Sequence, residues 1–233
     1  KFGRYYGDSS YDQRREMYNI WNLPSLNPAL AATPMINHGL NCRIINNLDS
    51  DFDIFIGDMN GNVTQQLTHE PGYDAEATVA EDGSRIVYTS ISSGDLEVWT
   101  MNLDGSDKRM LTNKLGYDGG PFFSHSGNKI VWRSYYPETE KEIMDYNKLI
   151  AESMIRPMNL QIRIMNADGS GKKQITYNEG ANFAPFFFPN DERIIFCSNM
   201  ADPNGRNFDL WAVNSDGTNL ERITYFDGFD GFP

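Results

Sequence analysis

The sequence predicts an all-β fold, a β-propeller of four-stranded antiparallel blades, and three observations carry this prediction. A Leu-Thr or Ile-Thr pair occurs four times, and a glycine-containing turn precedes each pair at a constant distance. The same intervals of 44, 64 and 48 residues separate successive pairs and successive turns. The basic unit of about 44 residues accommodates four strands and three short connections. The pairs are Leu67-Thr68, Leu111-Thr112, Ile175-Thr176 and Ile223-Thr224.

One unit, residues 69–112, shows why the repeat is a sheet. Ala75–Ala80 is a short strand candidate, and a tight turn follows at Glu81–Ser84, where Gly83 tolerates a positive φ. The β-branched and aromatic residues of Arg85–Ser90 favour a second strand, and two further strands flank an Asp-Gly turn. The second strands of successive units are almost entirely apolar, which predicts burial on both faces. The sheets must therefore stack face to face.

The repeats organise the chain as one propeller domain over residues 1–233. The third unit is longer by about 20 residues, roughly 136–156. Its acidic start, its few β-branched residues and the proline after it predict one inserted helix on the rim. Either five blades or part of a six-bladed ring fits the length. The predicted complete units are 25–68, 69–112, 113–176 and 177–224, and parts of further blades are 1–24, with a third strand near residue 17, and 225–233.

The composition excludes several classes of protein. The chain has 39% hydrophobic and 22% charged residues, as globular proteins do, and no apolar run approaches the length of a membrane span. A net charge of −12 argues against nucleic acid as a partner, because binding a phosphate backbone requires a positive surface. Two cysteines, Cys42 and Cys197, exclude a disulfide-rich scaffold and a four-cysteine zinc site.

The repeat motifs resemble those of the TolB-like, WD-repeat-like β-propeller family. The motifs are Pro71-Gly72-Tyr73-Asp74, Glu81–Arg85, Val98–Asn102, Asp104-Gly105-Ser106 and Leu111-Thr112, and the match extends over about 25–233. The resemblance implies a propeller, usually of six blades, that serves as a binding platform. It also implies a periplasmic or secreted protein.

One repeat position, just before the innermost strand of each blade, carries an acid or an amide. In a propeller, this position forms a polar collar near one mouth of the central channel. Such a collar coordinates a cation, of which calcium or magnesium suits oxygen ligands, or it grips a ligand. The alternative is that each side chain caps its own loop. The collar residues are Asp74, Asp118, Asn182 and Asp230, the cation is expected at Asp74, Asp118 and Asp230, and Glu76 would add a carboxylate.

Four aromatic residues adjoin the collar positions. At a channel mouth they would stack on a sugar or a peptide, and the alternative is that they pack between neighbouring blades. The collar and these aromatic residues together are the predicted ligand-binding site. The aromatic residues are Tyr73, Tyr117, Phe183 and Phe229.

The search for catalytic residues is negative. No Gly-x-Ser-x-Gly nucleophile motif and no glycine-rich phosphate loop is present. The histidines His38, His69 and His125 lack the spacing of zinc ligands and are expected to be exposed turn residues. Cys197 lies in an apolar strand and is expected to be an inert core thiol.

The sequence therefore favours a non-catalytic binding propeller that presents its channel mouth or rim to a protein or peptide. Two alternatives stay open. One is a carbohydrate-binding or glycoside-processing propeller, because acids are abundant. The other is a propeller with a structural calcium ion in its channel.

Overall fold

A computed structural model describes residues 19–23, 46–48 and 51–233. These residues form four successive antiparallel sheets, of three, four, four and four strands, and a short parallel strand pairing joins the first two. The first contains β1 (Asn19–Leu23), β3 (Asp51–Gly57) and β4 (Val63–Gln66). The second contains β5 (Gly72–Val79), β6 (Arg85–Ser90), β7 (Glu97–Asn102) and β8 (Arg109–Met110), and the parallel pairing is that of β3 with β5. The third contains β9 (Tyr117–Phe123), β10 (Lys129–Tyr135), β12 (Gln161–Asn166) and β13 (Lys173–Gln174), and the fourth contains β14 (Asn182–Phe187), β15 (Arg193–Ser198), β16 (Asp209–Asn214) and β17 (Glu221–Arg222).

The Leu-Thr landmarks return to equivalent places in all four sheets. We call β3, β7, β12 and β16 the third strands, after their place in the repeat. Each threonine hydroxyl oxygen accepts a hydrogen bond of 2.8–2.9 Å from a backbone N–H near the start of the third strand. The preceding residue donates its own N–H to the carbonyl of the same third-strand residue. The landmark therefore attaches the outermost strand to its neighbour by the same contacts in every copy. The donors to Thr68, Thr112, Thr176 and Thr224 are Ile54, Val98, Ile162 and Leu210.

The glycine turns touch the Leu-Thr landmarks of the preceding sheet. A Cβ placed on Gly105 would lie 3.3 Å from the carbonyl oxygen of Leu67, and one on Gly217 would lie 3.3 Å from that of Ile175. Gly169 approaches Leu111 in the same way. All three glycines have a φ of 83–91°, which side-chain-bearing residues rarely adopt. Each turn thus lies against the landmark pair of the preceding sheet, and these contacts join successive sheets.

The apolar second strands are buried on both faces. In β10, Ile130 and Trp132 pack towards the second sheet, and Val131 packs towards the fourth. None of these three side chains is accessible to solvent. Burying a side chain of this size contributes about 1.5–3 kcal/mol, so the packing between sheets is a major stabilising contribution. The prediction of sheets stacked face to face is confirmed.

Each described innermost strand contains a bulge. The pairing register shifts within β5, β9 and β14, and one residue at each shift has a positive φ. The same backbone conformation recurs once more in the fifth copy of the repeat. A feature that recurs in register belongs to the repeat itself and not to one local strain. The residues are Glu76, Gly120, Ala184 and Phe232, with φ values of 56°, 56°, 49° and 60°.

The insertion in the third sheet contains the helix α1 (Glu140–Ala151). Thr139 caps its N-terminus, because its hydroxyl accepts from the N–H of Glu142 while the Glu142 carboxylate accepts from the N–H of Thr139. Tyr146 and Leu149 are its buried residues. After the helix, β11 (Met154–Ile155) pairs with β2 (Asn46–Asn47), so this insertion contacts a segment from the beginning of the chain.

One strand differs from the sequence-based prediction. β1 pairs with β3 in the place that the second strand occupies in the later sheets, so residues 19–23 are part of the first described sheet. We expected residues 17–21 to be the third strand of an earlier unit, and Cys42–Ile45 to fill this place. Residues 42–45 lie outside the described residues. Propensity marks Asn19–Leu23 as a strand, but the sequence contains nothing that fixes its pairing partner.

Candidate binding face

The connections of the propeller are unequal at its two ends. Because the strands alternate in direction, the connections into each innermost strand lie at the same end as those between second and third strands. We call this end the loop face. Within the described part of the chain, the two long connections, 136–160 and 199–208, lie there, whereas the opposite end has only short turns. Binding residues occur preferentially on loops that a rigid scaffold holds in place.

Exposed aromatic side chains also lie on the loop face. Tyr177, Tyr225 and Phe226 are 77%, 72% and 67% exposed. The two tyrosines follow an Ile-Thr landmark directly, and each hydroxyl donates a 3.2 Å hydrogen bond to the carbonyl three residues earlier. Large exposed aromatic residues are characteristic of protein interfaces.

A cleft of about 140 Å³ lies beside α1 at this end. The end of β10 forms one wall, and the connection after the helix forms another. Arg156 in this connection makes an ion pair with Asp145 of the helix, so the cleft combines charged groups with apolar walls. Its lining residues are Tyr135, Glu142, Asp145, Tyr146, Leu149, Arg156, Met158 and Asn159.

The collar residues do not form an exposed ring in the described structure. Asp74, Asp118 and Asn182 are buried, and each pairs across the sheet with a serine of the second strand. Asp118 accepts hydrogen bonds from Trp132 Nε1 at 2.6 Å and from the Tyr136 hydroxyl at 2.9 Å. The Asp118 side chain is thus held by its own sheet and is not directed into an open channel. Within the described residues, no three His, Cys, Asp or Glu side chains converge as metal ligands would, and the cation stays a prediction.

Asn182 and Asp230 have different surroundings from Asp74 and Asp118. Asn182 donates from its side-chain amide to the carbonyl of Leu160 at 2.6 Å, across the junction between two sheets. Asp230 is half-buried, and its backbone N–H donates to the carbonyl of Phe208 at 2.8 Å. The corresponding N–H of Asp118 donates to the carbonyl of Leu96. The repeat position is therefore the point where each innermost strand joins the preceding sheet.

A second repeated position, which the sequence analysis missed, faces the first. It lies at the start of each third strand, fifteen residues before the landmark threonine. The hydroxyls of Thr68 and Thr176 donate 2.9 Å hydrogen bonds to two of these side chains. The intervals of 44, 64 and 48 residues identify this position in the sequence too. The residues are Asp53, Glu97, Gln161 and Asp209. The last three directly follow the residues whose carbonyls accept from the backbone N–H of Asp118, Asn182 and Asp230.

Glu97 and Asp118 form a buried pair of carboxyl groups between the second and third sheets. The parallel bridge between Leu96 and Tyr117 directly precedes both residues and brings them together. Burial and the nearby carboxyl groups of Asp118 and Asp95 raise the pKa of Glu97 to about 8. Burial raises the pKa of Asp118 to about 6, although donors from Trp132 and Tyr136 oppose the shift. The sheets enclose this acid pair, so it does not line an open pocket. Glycoside processing therefore stays a prediction.

The four aromatic residues next to the collar divide into two groups. Tyr73 and Tyr117 pack with Leu96 between the second and third sheets, as the packing alternative predicts. Phe183 and Phe229 belong to an aromatic cluster with Phe208 and Phe232. Phe183 follows its collar residue, unlike the other three, and its ring packs at the next junction. Phe229 is half exposed.

Glu76 makes a half-buried ionic cluster at the innermost strands. It forms an ion pair with Arg133, which also donates to the hydroxyl of Tyr117. Burial opposes the charge on Glu76, but Arg133 outweighs this effect and lowers its pKa. A Cβ on Gly120 would collide with the guanidinium of Arg133. The glycine therefore provides the space that the cluster occupies.

The histidines have different surroundings. His69 is exposed, as expected, and His38 lies outside the described residues. The side chain of His125 is only 21% exposed, because Nδ1 lies 2.6 Å from Glu81 Oε1 and Nε2 lies 3.1 Å from the carbonyl of Phe187. It connects three sheets at the end opposite the loop face. The sequence analysis missed this role, since the partners come from turns far apart in the chain.

Comparisons with known proteins show the fold. No family model and no curated protein sequence matches the chain. A structure of a protein described as a TolB from Agrobacterium tumefaciens matches with a TM-score of 0.58 and 21% identity, covering 79% of this chain and 62% of that one. TolB from Acinetobacter baumannii matches with a TM-score of 0.61 and 16% identity, covering 78% and 40%.

A structure of the nidogen/laminin complex also matches, with a TM-score of 0.50 and 14% identity over 76% of this chain and 59% of that one. The chain thus spans less than two thirds of the length of these proteins. The structures share the antiparallel four-stranded sheets of the TolB β-propeller, which confirms the predicted type of fold. Structures of enzymes share the fold as well, so function must be argued from the site.

Proposed function

We propose that the protein is a non-catalytic binding propeller that presents its loop face to a protein or peptide. One observation carries the proposal: both long connections and the three most exposed aromatic side chains of the described residues lie at the same end. Aromatic anchors surrounded by loops can bury a large apolar area while the sheets below stay rigid. The opposite end offers only short turns.

The comparisons support a protein partner at the level of the fold. One similar structure is a complex of nidogen with laminin. We also propose that the ring has five or six blades. The parallel bridge between Phe208 and Phe229 repeats the one between Leu96 and Tyr117, so a further innermost strand begins at Phe229.

The cleft beside α1 is the proposed anchor for one side chain of the partner. Arg156 and Asp145 supply charge, and Leu149 and Met158 supply an apolar wall. Such a mixed lining suits a long side chain with a polar end. We place the protein in the periplasm or outside the cell, as the TolB-like fold suggests. The described part of the chain has no helix that is long and apolar enough to span a membrane.

The proposal is tested by comparing two triple variants with the wild type. The loop-face variant carries Y177S, Y225S and F226S. The control variant carries M59S, V63S and L220S, which replace exposed apolar residues at the opposite end. Each immobilised protein is used to capture partners, and the captured protein is then purified and its affinity measured.

We expect the wild type and the control to bind the same protein, and the loop-face variant to lose at least tenfold in affinity. Three exposed aromatic contacts at about 0.5–1.5 kcal/mol each account for such a loss. Equal binding by both variants, or equal loss in both, would contradict the proposal. Circular dichroism confirms that each variant is folded.

A further inference from the structure

We infer that a proton shared by Glu97 and Asp118 holds α1 in place, so that the loop face is regulated by pH. The inference rests on the proposed function in one respect: the regulated surface, the loop face, is the surface proposed to bind a partner. It concerns the junction between the second and third sheets, where the insertion that carries α1 begins. The geometry of this junction carries the argument.

The two carboxyl groups require a proton between them. Glu97 is 3% exposed and Asp118 is fully buried. Oε2 of Glu97 has no hydrogen-bond donor in the described structure, and Asp118 is the acid next to Glu97, since the parallel bridge between Leu96 and Tyr117 directly precedes both residues. Two ionised carboxylates have no proton to share and repel each other, whereas one proton converts the same contact into a hydrogen bond.

The acid pair is connected to the insertion at its first residue. Tyr136, at the start of the connection that carries α1, donates its hydroxyl to Asp118 at 2.9 Å. The same Asp118 oxygen accepts from Trp132. A movement of Asp118 away from an ionised Glu97 would therefore displace Tyr136 and the segment that follows.

A second connection runs from Asp95 to the helix itself. The hydroxyl of Tyr146 lies 2.5 Å from Asp95 Oδ1 and 2.6 Å from the carbonyl oxygen of Gly116. A hydroxyl has one proton, so it can donate to only one of these oxygens. The Asp95 carboxylate also accepts from the backbone N–H groups of Leu96 and Gly116, each at 2.9 Å. Tyr146 therefore attaches the helix to the same junction that contains Glu97 and Asp118.

The surrounding charges do not neutralise the pair. Arg163 of β12 lowers the pKa of Asp118 at a distance, but its guanidinium donates to Ser134 and Gln174. Lys114 lies over the ring of Tyr136, 4.2 Å from its centroid. Neither Glu97 nor Asp118 makes an ion pair with any residue that the structure describes. The other titratable groups that face them are Asp95, Tyr136 and Tyr146.

The pH dependence follows from the direction of the shifts. Burial raises the pKa of Glu97 to about 8 and that of Asp118 to about 6, so the closed junction keeps a proton that a solvated pair would lose. The closed state is therefore favoured at low pH. It loses this advantage as the pH rises, until Glu97 is ionised above about pH 8.

The test is hydrogen exchange of residues 136–160, followed by mass spectrometry at several pH values between 6 and 9. The wild type is compared with E97Q and with the double variant E97Q/D118N, which reproduces the Gln161 and Asn182 pair of the next junction. The connection 199–208 serves as an internal control. Rates are corrected for the intrinsic pH dependence of exchange.

We expect wild-type protection of 136–160 to fall by about tenfold for each pH unit up to about pH 8. At least one of the two variants should keep constant protection. A pH-independent wild type, or the same fall in both variants, would overturn the inference. The readout needs no partner, so it does not depend on whether the loop face binds a protein, and the capture experiment does not depend on it.

Discussion

Two junctions between neighbouring sheets occupy the same place in the repeat but use different chemistry. The second and third sheets meet at Glu97 and Asp118, and the third and fourth meet at Gln161 and Asn182. The amide pair supplies its own donors: Gln161 donates to the carbonyl of Asn178 at 2.6 Å and Asn182 donates to that of Leu160. The acid pair accepts from Trp132, Tyr136 and Thr112, but no hydrogen bond can form between the two carboxyl groups unless they hold a proton. The repeat therefore determines where polar side chains lie. Whether these side chains are carboxyl groups or amides determines whether the junction responds to pH.

The largest expected effect comes from removing the polar side chain at each junction and comparing the loss of stability. D118A leaves the Trp132 and Tyr136 donors without an acceptor in a site closed to water. We expect the free energy of unfolding at pH 7 to fall by about 2–4 kcal/mol. N182A removes the bonds of its amide to the Leu160 carbonyl and to the side chain of Asn178, and it should cost about 1–2 kcal/mol. Urea unfolding measures both, and an equal or reversed order would contradict the difference between the junctions.

A transplant of the acid pair should make the second junction pH-sensitive. Q161E/N182D places two carboxyl groups where the amides now lie. We expect little loss of stability at pH 5, where the pair can hold a proton, and a loss of about 1–3 kcal/mol at pH 8. The measurement is urea unfolding at both pH values. If the loss were the same at both, the chemistry of the pair would not explain the comparison.

The reverse change should remove the pH dependence of the acidic junction. The pKa of Glu97 is raised from its ordinary value to about 8. Its contribution is therefore fully present below about pH 4.5 and is lost as the pH rises through about 8. We expect the free energy of unfolding of E97Q to rise by about 1–2 kcal/mol relative to that of the wild type between pH 6.5 and pH 8. A constant difference across this range would exclude the shared proton as the cause.

The smallest expected effect concerns the landmark threonines, which both junctions have in common. T112V and T176V each remove a hydroxyl that accepts a 2.8 Å hydrogen bond from the third strand. Each hydroxyl also bonds to the polar side chain at the start of the third strand, Glu97 or Gln161. Each substitution should destabilise the protein by about 1 kcal/mol, because both contacts of the hydroxyl are lost. Chemical denaturation of the two variants should give similar values. A large inequality would show that the landmark contacts are not equivalent.

The sequence predicts the repeated contacts well. Recurring intervals identify the sheets, the landmark pairs and the glycine turns, because each contact occurs in every copy. The same register also contains Glu97 and its equivalents, but their proximity to Asp118 and its equivalents becomes evident only when neighbouring sheets are packed. A repeated pattern thus reveals the position of a polar group before it reveals the partner.

Contacts that occur only once could not be predicted. The pairing of β1 with β3 depends on a connection outside the repeat pattern. His125 meets Glu81 and Phe187 from two different turns, and nothing in its local sequence indicates either contact. The helix was predicted from its composition, yet its attachment through Tyr146 to Asp95 joins residues 51 positions apart.

The most direct test of the central claim is infrared spectroscopy of the acid pair. A protonated carboxyl group has a carbonyl stretch that is distinct from the bands of a carboxylate. The difference spectrum between the wild type and E97Q at pH 7 should contain this band, and the band should disappear above about pH 9, since the pKa of Glu97 is raised to about 8. A difference spectrum at pH 7 that shows only carboxylate bands would contradict a shared proton.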